Sequence, residues 1–273
     1  MSQIVIVEGI KAQAGPNTPR IVMSAADRVA MRMPHLKHAI SPRELSMVAG
    51  QGLKGRCRMT GEDLVSIGSG AANMTLVSRA GHLGIGTSVL STQAGLKLPE
   101  KSATSSYTIV AAVNIGDSTG NVYSTSRQLL NGFTAEDVLA NQMLTASGAS
   151  NPAEAYKSKL LSVGIGTLSP FAIAGMPTPS TWGVVAIDFN NVTGVVSISR
   201  DGTNWNAAPR TAGGNTIGGT GYLAIGMPFA TTGLTDNLVG DVFVFGRSVR
   251  DEVGDEVVAS LVAALKQDYG IAG

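Results

Sequence analysis

The stretch Val195–Trp205, VVSISRDGTNW, decides the fold expected of this chain. Apolar and hydroxyl-bearing side chains alternate along VVSIS, which is the pattern of a β-strand with one buried face. Asp201 and Gly202 then supply the residues that a tight hairpin turn favours, and Trp205 begins the predicted return strand. The stretch therefore predicts an antiparallel hairpin.

Similar short apolar stretches recur along the chain from residue 45 onward. Glycine contributes 34 of the 273 residues, as expected for many strands joined by tight turns. Helical segments do not alternate regularly with these stretches, so a parallel sheet is not indicated. We therefore predict an all-β antiparallel sandwich, whose other strands are LSMVA, DLVSIG, MTLVSR, HLGIG, GLKLP, SYTIVAAVNIG, KLLSVGIG, WGVVAIDF, GYLAIG and LVGDVFVFG.

The end of the chain predicts an amphipathic helix over residues 251–268. Ser248 and Asp251 have the spacing of a helix-capping pair. Apolar residues at three- and four-residue steps form one stripe, made of Val253, Val257, Val258, Leu261, Val262, Leu265 and Tyr269. We expect the stripe to pack on the sandwich, and the alternative is a helix that binds a partner.

An insertion at residues 131–160 contains TAEDVLANQML, in which Thr134 and Asp137 also have the spacing of a helix start. We expect a helix on a surface excursion there.

Residues 1–44 differ from the rest because prolines interrupt them and several basic residues make them mildly cationic. SAADRVAMRM predicts about two helical turns opened by Ser24 and Asp27. The segment is either a flexible tail or an extended arm that orders on a partner. We assign residues 1–44 to an assembly arm and residues 45–273 to the sandwich domain, and the candidate assembly residues are Arg20, Arg28, Arg32 and Lys37.

The composition excludes several classes of protein. A net charge of +1 and 14% charged residues give no field that would hold nucleic acid or an anionic membrane. No stretch has the form of a signal peptide or of a bilayer-spanning helix, so we expect a protein made in the cytoplasm that is not inserted in a membrane. The single cysteine, Cys57, is expected to be a small buried thiol without a nearby histidine.

The sequence offers little catalytic chemistry. Gly50–Gly55, GQGLKG, matches a dinucleotide-binding pattern but lacks the following helix and the acidic residue about 20 positions on. No G-x-S-x-G elbow is present. Adjacent acidic residues, such as Asp251 and Glu252, fall in loops or at helix starts, where solvation and the helix dipole explain them. We therefore assign no catalytic residue and expect that the chain is not an enzyme.

We also assign no metal site and no cofactor. His35 and His38 in HLKH lack a third ligand nearby. Calcium stays open but unassigned, because five aspartates fall at predicted strand ends or turns: Asp117, Asp188, Asp201, Asp236 and Asp241.

The second half of the chain resembles the concanavalin A-like, laminin-G-like jelly-roll family. The resemblance covers about residues 94–270 and rests on GLKLP, SYTIVAAVNIG, LLSVGIG, WGVVAIDFNNVTGVVSISRDGTNW, YLAIGMPF and LVGDVFVFGRSVRDEVGDEVVASLVAALKQDYGI. It implies two curved antiparallel sheets that bind a carbohydrate or a protein, in some members with calcium. Asn204, Trp205 and Asn206 are the candidate ligand-binding residues, because an indole beside amides suits a sugar ring; the alternative is that Trp205 fills the edge of the sandwich.

The arrangement of an arm followed by this domain also resembles virion proteins of tailed bacteriophages. The resemblance implies a non-enzymatic structural protein of the virion, assembled in the host cytoplasm, that decorates the capsid or belongs to a fibre or tail. Its implied partners are other virion proteins, further copies of the chain and a host-surface glycan. The alternatives are a free carbohydrate-binding lectin and a glycoside hydrolase, although the chain lacks the E-x-D-x-E motif of the family's glycosidases.

Overall fold

The computed structural model describes residues 23–90, 92–116, 127–147, 159–166, 172–175 and 177–272. Over these residues the chain forms two antiparallel sheets that pack face to face, so the predicted β-sandwich is confirmed. No helix within the described ranges is both long and apolar enough to cross a lipid bilayer. Arg20 and Asp117 lie outside the described residues.

The first twelve strands are β1 (Leu36–Ile40), β2 (Leu45–Val48), β3 (Gly52–Arg56), β4 (Asp63–Ile67), β5 (Met74–Arg79), β6 (His82–Thr87), β7 (Ala94–Lys97), β8 (Tyr107–Asn114), β9 (Arg127–Phe133), β10 (Leu139–Ser147), β11 (Lys159–Ser162) and β12 (Ala172–Gly175). They are followed by β13 (Trp182–Asn190), β14 (Val195–Ser199), β15 (Asn206–Pro209), β16 (Tyr222–Met227) and β17 (Leu238–Phe245). The helices are α1 (Ala25–Ala30), α2 (Val249–Val253) and α3 (Asp255–Asp268), and Pro42–Glu44 and Ala71–Asn73 form 3-10 turns.

The eight-stranded sheet has the order β15-β14-β13-β8-β17-β6-β5, with β1 paired to the end of β17. The nine-stranded sheet has the order β12-β11-β10-β9-β16-β7-β4-β3-β2. The apolar core lies between the sheets, and a second apolar layer lies between the eight-stranded sheet and the helices. Because both faces of β8 are covered, all eight of its residues are buried, and its sequence is almost continuously apolar.

The predicted C-terminal helix is confirmed, but it is divided in two at Gly254, which has a φ of +101°. Ser248 caps the first part, since its side chain accepts a hydrogen bond from the backbone N–H of Asp251. Most of the predicted apolar stripe packs on the eight-stranded sheet, whereas Val253 is 42% exposed because it ends the short first helix.

Residues 24–44 of the predicted arm pack against the sandwich. The capping box of Ser24 and Asp27 opens α1 as predicted. The carboxylate of Asp268, in α3, accepts hydrogen bonds from the backbone N–H groups of Ala25 and Ala26 at 2.9 and 2.8 Å. Strand β1 pairs with β17, which makes this segment part of the eight-stranded sheet. The domain boundary after residue 44 stays a prediction.

Two local predictions are wrong, the helix of TAEDVLANQML and the two-residue turn at Asp201 and Gly202. TAEDVLANQML forms no helix: Thr134 and Val138 close a turn between β9 and β10, and Asp137 takes a φ of +65°. GQGLKG belongs to the β2–β3 hairpin at the edge of the nine-stranded sheet. In the hairpin of β14 and β15, Gly202 has a positive φ and Asp201 does not, so the turn is longer than a two-residue one.

Candidate functional site

A cleft of about 560 Å³ lies at one end of the sandwich, and we call it the edge cleft. One wall is formed by Thr104, Ser105 and Ser106, which immediately precede β8. The loop after β13 and the start of α2 form the other wall, which carries Asn190, Asp251 and Glu252. Residues Lys37, Gly218, Gly219, Gly246 and Arg247 complete its sides. Topology therefore gathers polar groups from five separate parts of the chain.

The α2 wall is held in place by a buried carboxyl group. Asp188, on β13, is 2% exposed and accepts hydrogen bonds from the hydroxyls of Thr108 and Ser248. The Thr108 hydroxyl also accepts the backbone N–H of Val249 at 2.8 Å. Burial raises the pKa of Asp188 to about 7, although the two hydroxyl hydrogen bonds act in the opposite direction.

Several polar groups in the cleft have spare hydrogen-bonding capacity. The exposed Ser105 hydroxyl forms no hydrogen bond within the described part of the chain. The Ser106 hydroxyl accepts the backbone N–H of Asn191 at 2.9 Å, which leaves its own hydrogen free to donate elsewhere. The Asn190 side-chain amide donates to Asp251 Oδ2 at 2.5 Å, and the Asp251 carboxylate lines the cleft as an acceptor. The walls thus offer both donors and acceptors.

The charged groups of the cleft are largely engaged with one another. Glu252 accepts a hydrogen bond from Arg247 Nη1 at 3.2 Å and lies 2.7 Å from His35 Nε2. The hydrogen bond from Arg247 is the main reason that the pKa of Glu252 is lowered. Lys37 Nζ donates to the carbonyl oxygen of Lys101 at 2.7 Å, and burial lowers its pKa.

The predicted ligand-binding residues Asn204, Trp205 and Asn206 share one loop, but that loop does not line the edge cleft. The Trp205 indole N–H donates to the carbonyl oxygen of Gly202 at 2.9 Å, and the guanidinium of Arg250 lies 5.0 Å from the ring centroid. The indole is half-buried against the apolar layer under the helices.

The neighbouring asparagines are exposed, and the Asn204 amide donates to Asp201 Oδ2 at 2.6 Å. The contacts of Trp205 explain its position by packing, and ligand binding by this loop stays a prediction.

The described arm residues are not gathered at one place. Arg28 and Arg32 are exposed, and Arg28 donates to the carbonyl oxygen of Met23 at 3.0 Å. Lys37 instead lines the edge cleft. Their role in assembly stays a prediction.

Cys57 is buried, as predicted, but a histidine lies beside it: its Sγ is 3.5 Å from His38 Nδ1. The sequence separation of 19 positions hides this pair, which forms because β1 joins the sheet. Burial raises the pKa of the Cys57 thiol, but hydrogen bonds from His38 and Thr60 outweigh it and lower the value to about 6. With both side chains at most 2% exposed, no substrate reaches the thiol in this conformation.

Within the described ranges, no three His, Cys, Asp or Glu side chains are grouped so that they could hold a metal ion. The aspartates considered for calcium serve separate local contacts. Asp201 accepts hydrogen bonds from its own loop, Asp236 pairs with Arg79, and Asp241 accepts from the Tyr269 hydroxyl.

No protein-family model matches the chain, and no curated protein matches it either. Several solved structures match the chain. Trypanosoma rangeli sialidase matches with a TM-score of 0.55 and 17% identity over 88% of this chain and 34% of the sialidase chain. Domain 4 of an extracellular arabinanase from Geobacillus stearothermophilus, in complex with arabinotriose, matches with a TM-score of 0.53 and 13% identity over 85% of this chain and 100% of that domain. The binding domain of Paraclostridial Mosquitocidal Protein 1 matches with a TM-score of 0.52 and 10% identity over 87% of this chain and 53% of that one.

These likenesses define the class of fold: an antiparallel β-sandwich that also occurs in carbohydrate-active proteins. The chain spans about a third of the length of the sialidase it matches. At 10 to 17% identity the likeness concerns the fold alone.

The prediction that the chain is not an enzyme is contradicted, because sialidases and an arabinanase domain are among the proteins that share its fold. Asp251 and Glu252 lie in the first turn of α2 and are exposed, as predicted, and both also line the edge cleft.

Proposed function

We propose that this chain is a carbohydrate-binding domain and that it holds a glycan in the edge cleft. The observation that carries the proposal is the set of hydroxyl, amide and carboxylate groups that line the cleft, above all the exposed Ser105 hydroxyl, which has no partner within the described part of the chain. A sugar hydroxyl both donates and accepts hydrogen bonds, so it suits such a mixed lining.

The comparisons support this proposal through the fold. The arabinanase domain, which the match covers completely, is described in complex with arabinotriose. The sialidase is described in complex with sialic acid, and the chain corresponds to about a third of it. A binding domain carried by a larger carbohydrate-active protein fits both matches.

The expected affinity follows from the number of polar contacts. A hydrogen bond exchanged with water contributes about 0.5 to 1.5 kcal/mol net. Four such bonds give roughly 4 kcal/mol, which corresponds to a dissociation constant of about 1 mM. We therefore expect millimolar binding of short oligosaccharides and tighter binding of longer ones that fill the whole cleft.

Ser105→Ala tests the site with little risk to the fold, because it removes an exposed hydroxyl that lines the cleft. Ser78→Ala is the matched control, since Ser78 is also exposed but lies on β5 and does not line the cleft. Gly246→Leu should block the cleft, because a Cβ at this position would lie 3.5 Å from Thr104 and 3.7 Å from Lys37, at ordinary contact distance.

The measurement is a glycan panel followed by calorimetric or NMR titration of the best ligands. We expect Ser105→Ala to weaken binding about three- to tenfold, Gly246→Leu to abolish it and Ser78→Ala to leave it unchanged. If no glycan binds at millimolar concentration, or if binding persists in Gly246→Leu, the edge cleft is not a glycan site.

The loop of Asn204, Trp205 and Asn206 is the alternative site for the same function. Loss of binding in Trp205→Ala, with Ser105→Ala unaffected, would move the proposal to that loop.

A location in a virion is a separate prediction, together with other virion proteins, further copies of the chain and a host-surface glycan as partners. Mass spectrometry of purified particles tests it: detection in stoichiometric amounts supports a structural subunit, and absence from the particles refutes it.

A further inference from the structure

The charged side chains of the edge cleft cancel one another. Lys37 and Arg247 are cationic, and Asp251 and Glu252 are anionic. The Arg247 guanidinium is already occupied by Glu252 at 3.2 Å, and Glu252 also contacts His35 at 2.7 Å. The cleft therefore offers no concentration of positive charge.

Lys37 is poorly placed to receive an anion. Its ammonium group donates to the Lys101 carbonyl oxygen at 2.7 Å, and its burial disfavours the charged form. A ligand carboxylate would have to replace an existing hydrogen bond of Lys37 or break the ion pair between Arg247 and Glu252. Either exchange loses about as much interaction free energy as the new contact gains.

Asp251 acts more strongly against an anionic ligand. Its carboxylate accepts a hydrogen bond from the Asn190 amide, and within the described part of the chain no cation lies at ion-pair distance from it. A second carboxylate in the cleft would therefore face an uncompensated negative charge, whereas a sugar hydroxyl would donate a hydrogen bond to it.

We infer that the edge cleft selects uncharged sugars, that is, neutral pentoses and hexoses, over sialic and uronic acids, and that Asp251 is the residue that rejects the acids. This inference rests on the proposed function of the cleft. Repulsion between two like charges in a partly solvated site changes affinity by roughly one order of magnitude. We expect at least about a tenfold preference for a neutral sugar over its acidic counterpart.

A matched pair of ligands tests the inference. Galactotriose and trigalacturonate differ in their C6 groups, which are hydroxymethyl in one and carboxylate in the other. Both are titrated calorimetrically against the full chain at about 50 and about 500 mM NaCl. We expect galactotriose to bind more tightly and with an affinity that does not depend on salt, and we expect the weak binding of trigalacturonate to improve at high salt because salt screens the repulsion.

Asp251→Asn keeps the shape of the side chain and removes its charge, so it should reduce the preference for the neutral sugar about tenfold. Asp63→Asn is the control, since Asp63 is exposed on β4 and does not line the cleft. Circular dichroism establishes that both variants are folded, and the salt dependence of the unaltered chain tests the inference without any variant.

The outcomes separate the two proposals. Tighter binding of trigalacturonate that Gly246→Leu abolishes would overturn the selectivity and leave the glycan site standing. An unchanged preference in folded Asp251→Asn would overturn the role of Asp251. Failure of both ligands and of every other glycan to bind would overturn the proposed function itself.

Discussion

Replacement of Asp188 by Asn should stabilise the protein increasingly as the pH rises. Asp188 is 2% exposed, and burial raises the pKa of its carboxyl group from 3.8 to about 7. The folded state therefore favours the protonated form. This preference stabilises the fold fully below the pKa that Asp188 has in the unfolded chain. The stabilisation is lost as the pH rises through the pKa of Asp188 in the folded protein.

The size of the stability change follows from the shift in the pKa of Asp188. Three pKa units correspond to about 4 kcal/mol, of which about 3 kcal/mol falls between pH 5 and pH 8. Asparagine carries no titrating charge, and it can still accept a hydrogen bond from Thr108 or Ser248 through its side-chain oxygen. Any loss of hydrogen bonding in Asp188→Asn is the same at every pH, whereas the ionisation cost that the variant removes grows with pH.

The assay is urea or thermal unfolding of both proteins at several values between about pH 5 and about pH 8. The difference in unfolding free energy, variant minus wild type, should increase by about 3 kcal/mol over this range. For a chain of this size that amounts to a relative rise in Tm of roughly 6 to 12 °C. Titrating groups that do not interact with Asp188, such as Cys57, act equally on both proteins and cancel in the difference. A difference that stays constant with pH would refute the reasoning.

Three further predictions concern stability. Asp268→Ala removes the carboxylate that caps α1, so it should cost about 1.5 to 3 kcal/mol and accelerate hydrogen exchange in α1 ahead of the sheets. Thr145→Val should be neutral or raise the Tm, because it removes a buried hydroxyl that has no partner; a drop of several degrees would indicate a bonded hydroxyl. Gly202→Ala should destabilise the protein far more than Gly213→Ala, as chemical denaturation can show. Both glycines have a positive φ, but a Cβ at the first would lie 2.6 Å from the backbone of α3, while one at the second would meet nothing within 4 Å.

The strands that the sequence identifies most clearly are those whose burial is uniform or strictly alternating. SYTIVAAVNIG forms β8, which is buried on both faces, and VVSIS forms β14. Strand β9 was missed because Gln128 and Asn131 interrupt its apolar run, and irregular pairing with β10 breaks the alternation. Strand β1 was missed because its burial depends on β17, about 200 positions further along the chain.

The false helix start has a chemical explanation. The Thr134 hydroxyl accepts the backbone N–H groups of Glu136 and Val138 at 3.2 and 3.3 Å. A threonine side chain satisfies the first N–H groups of a helix in a similar way, so local sequence alone does not separate a helix cap from a hydroxyl-closed turn. At Ser248 the same type of side chain does cap a helix.

The edge cleft was not predictable for a different reason. Its groups come from segments as far apart as Lys37 and Glu252, and only the pairing of β1 with β17 and the packing of α2 bring them together. The spacing of Ser248 and Asp251 predicts a helix-capping pair. It does not predict a cleft, because local spacing carries no information about which surface the start of the helix faces.

Asp268 accepts hydrogen bonds from the backbone N–H groups of Ala25 and Ala26, which precede it by 243 and 242 positions along the chain. The two ends of the described chain therefore lie side by side, which is the geometry that tolerates circular permutation and insertion into a host protein. A short glycine linker from the end of the described chain to its beginning, with new termini opened at the exposed turn of Ala80 and Gly81, should yield a permuted protein with the same fold. The same geometry would allow insertion of the described region into a single loop of a larger protein, because the two flanking segments of that loop would stay close together.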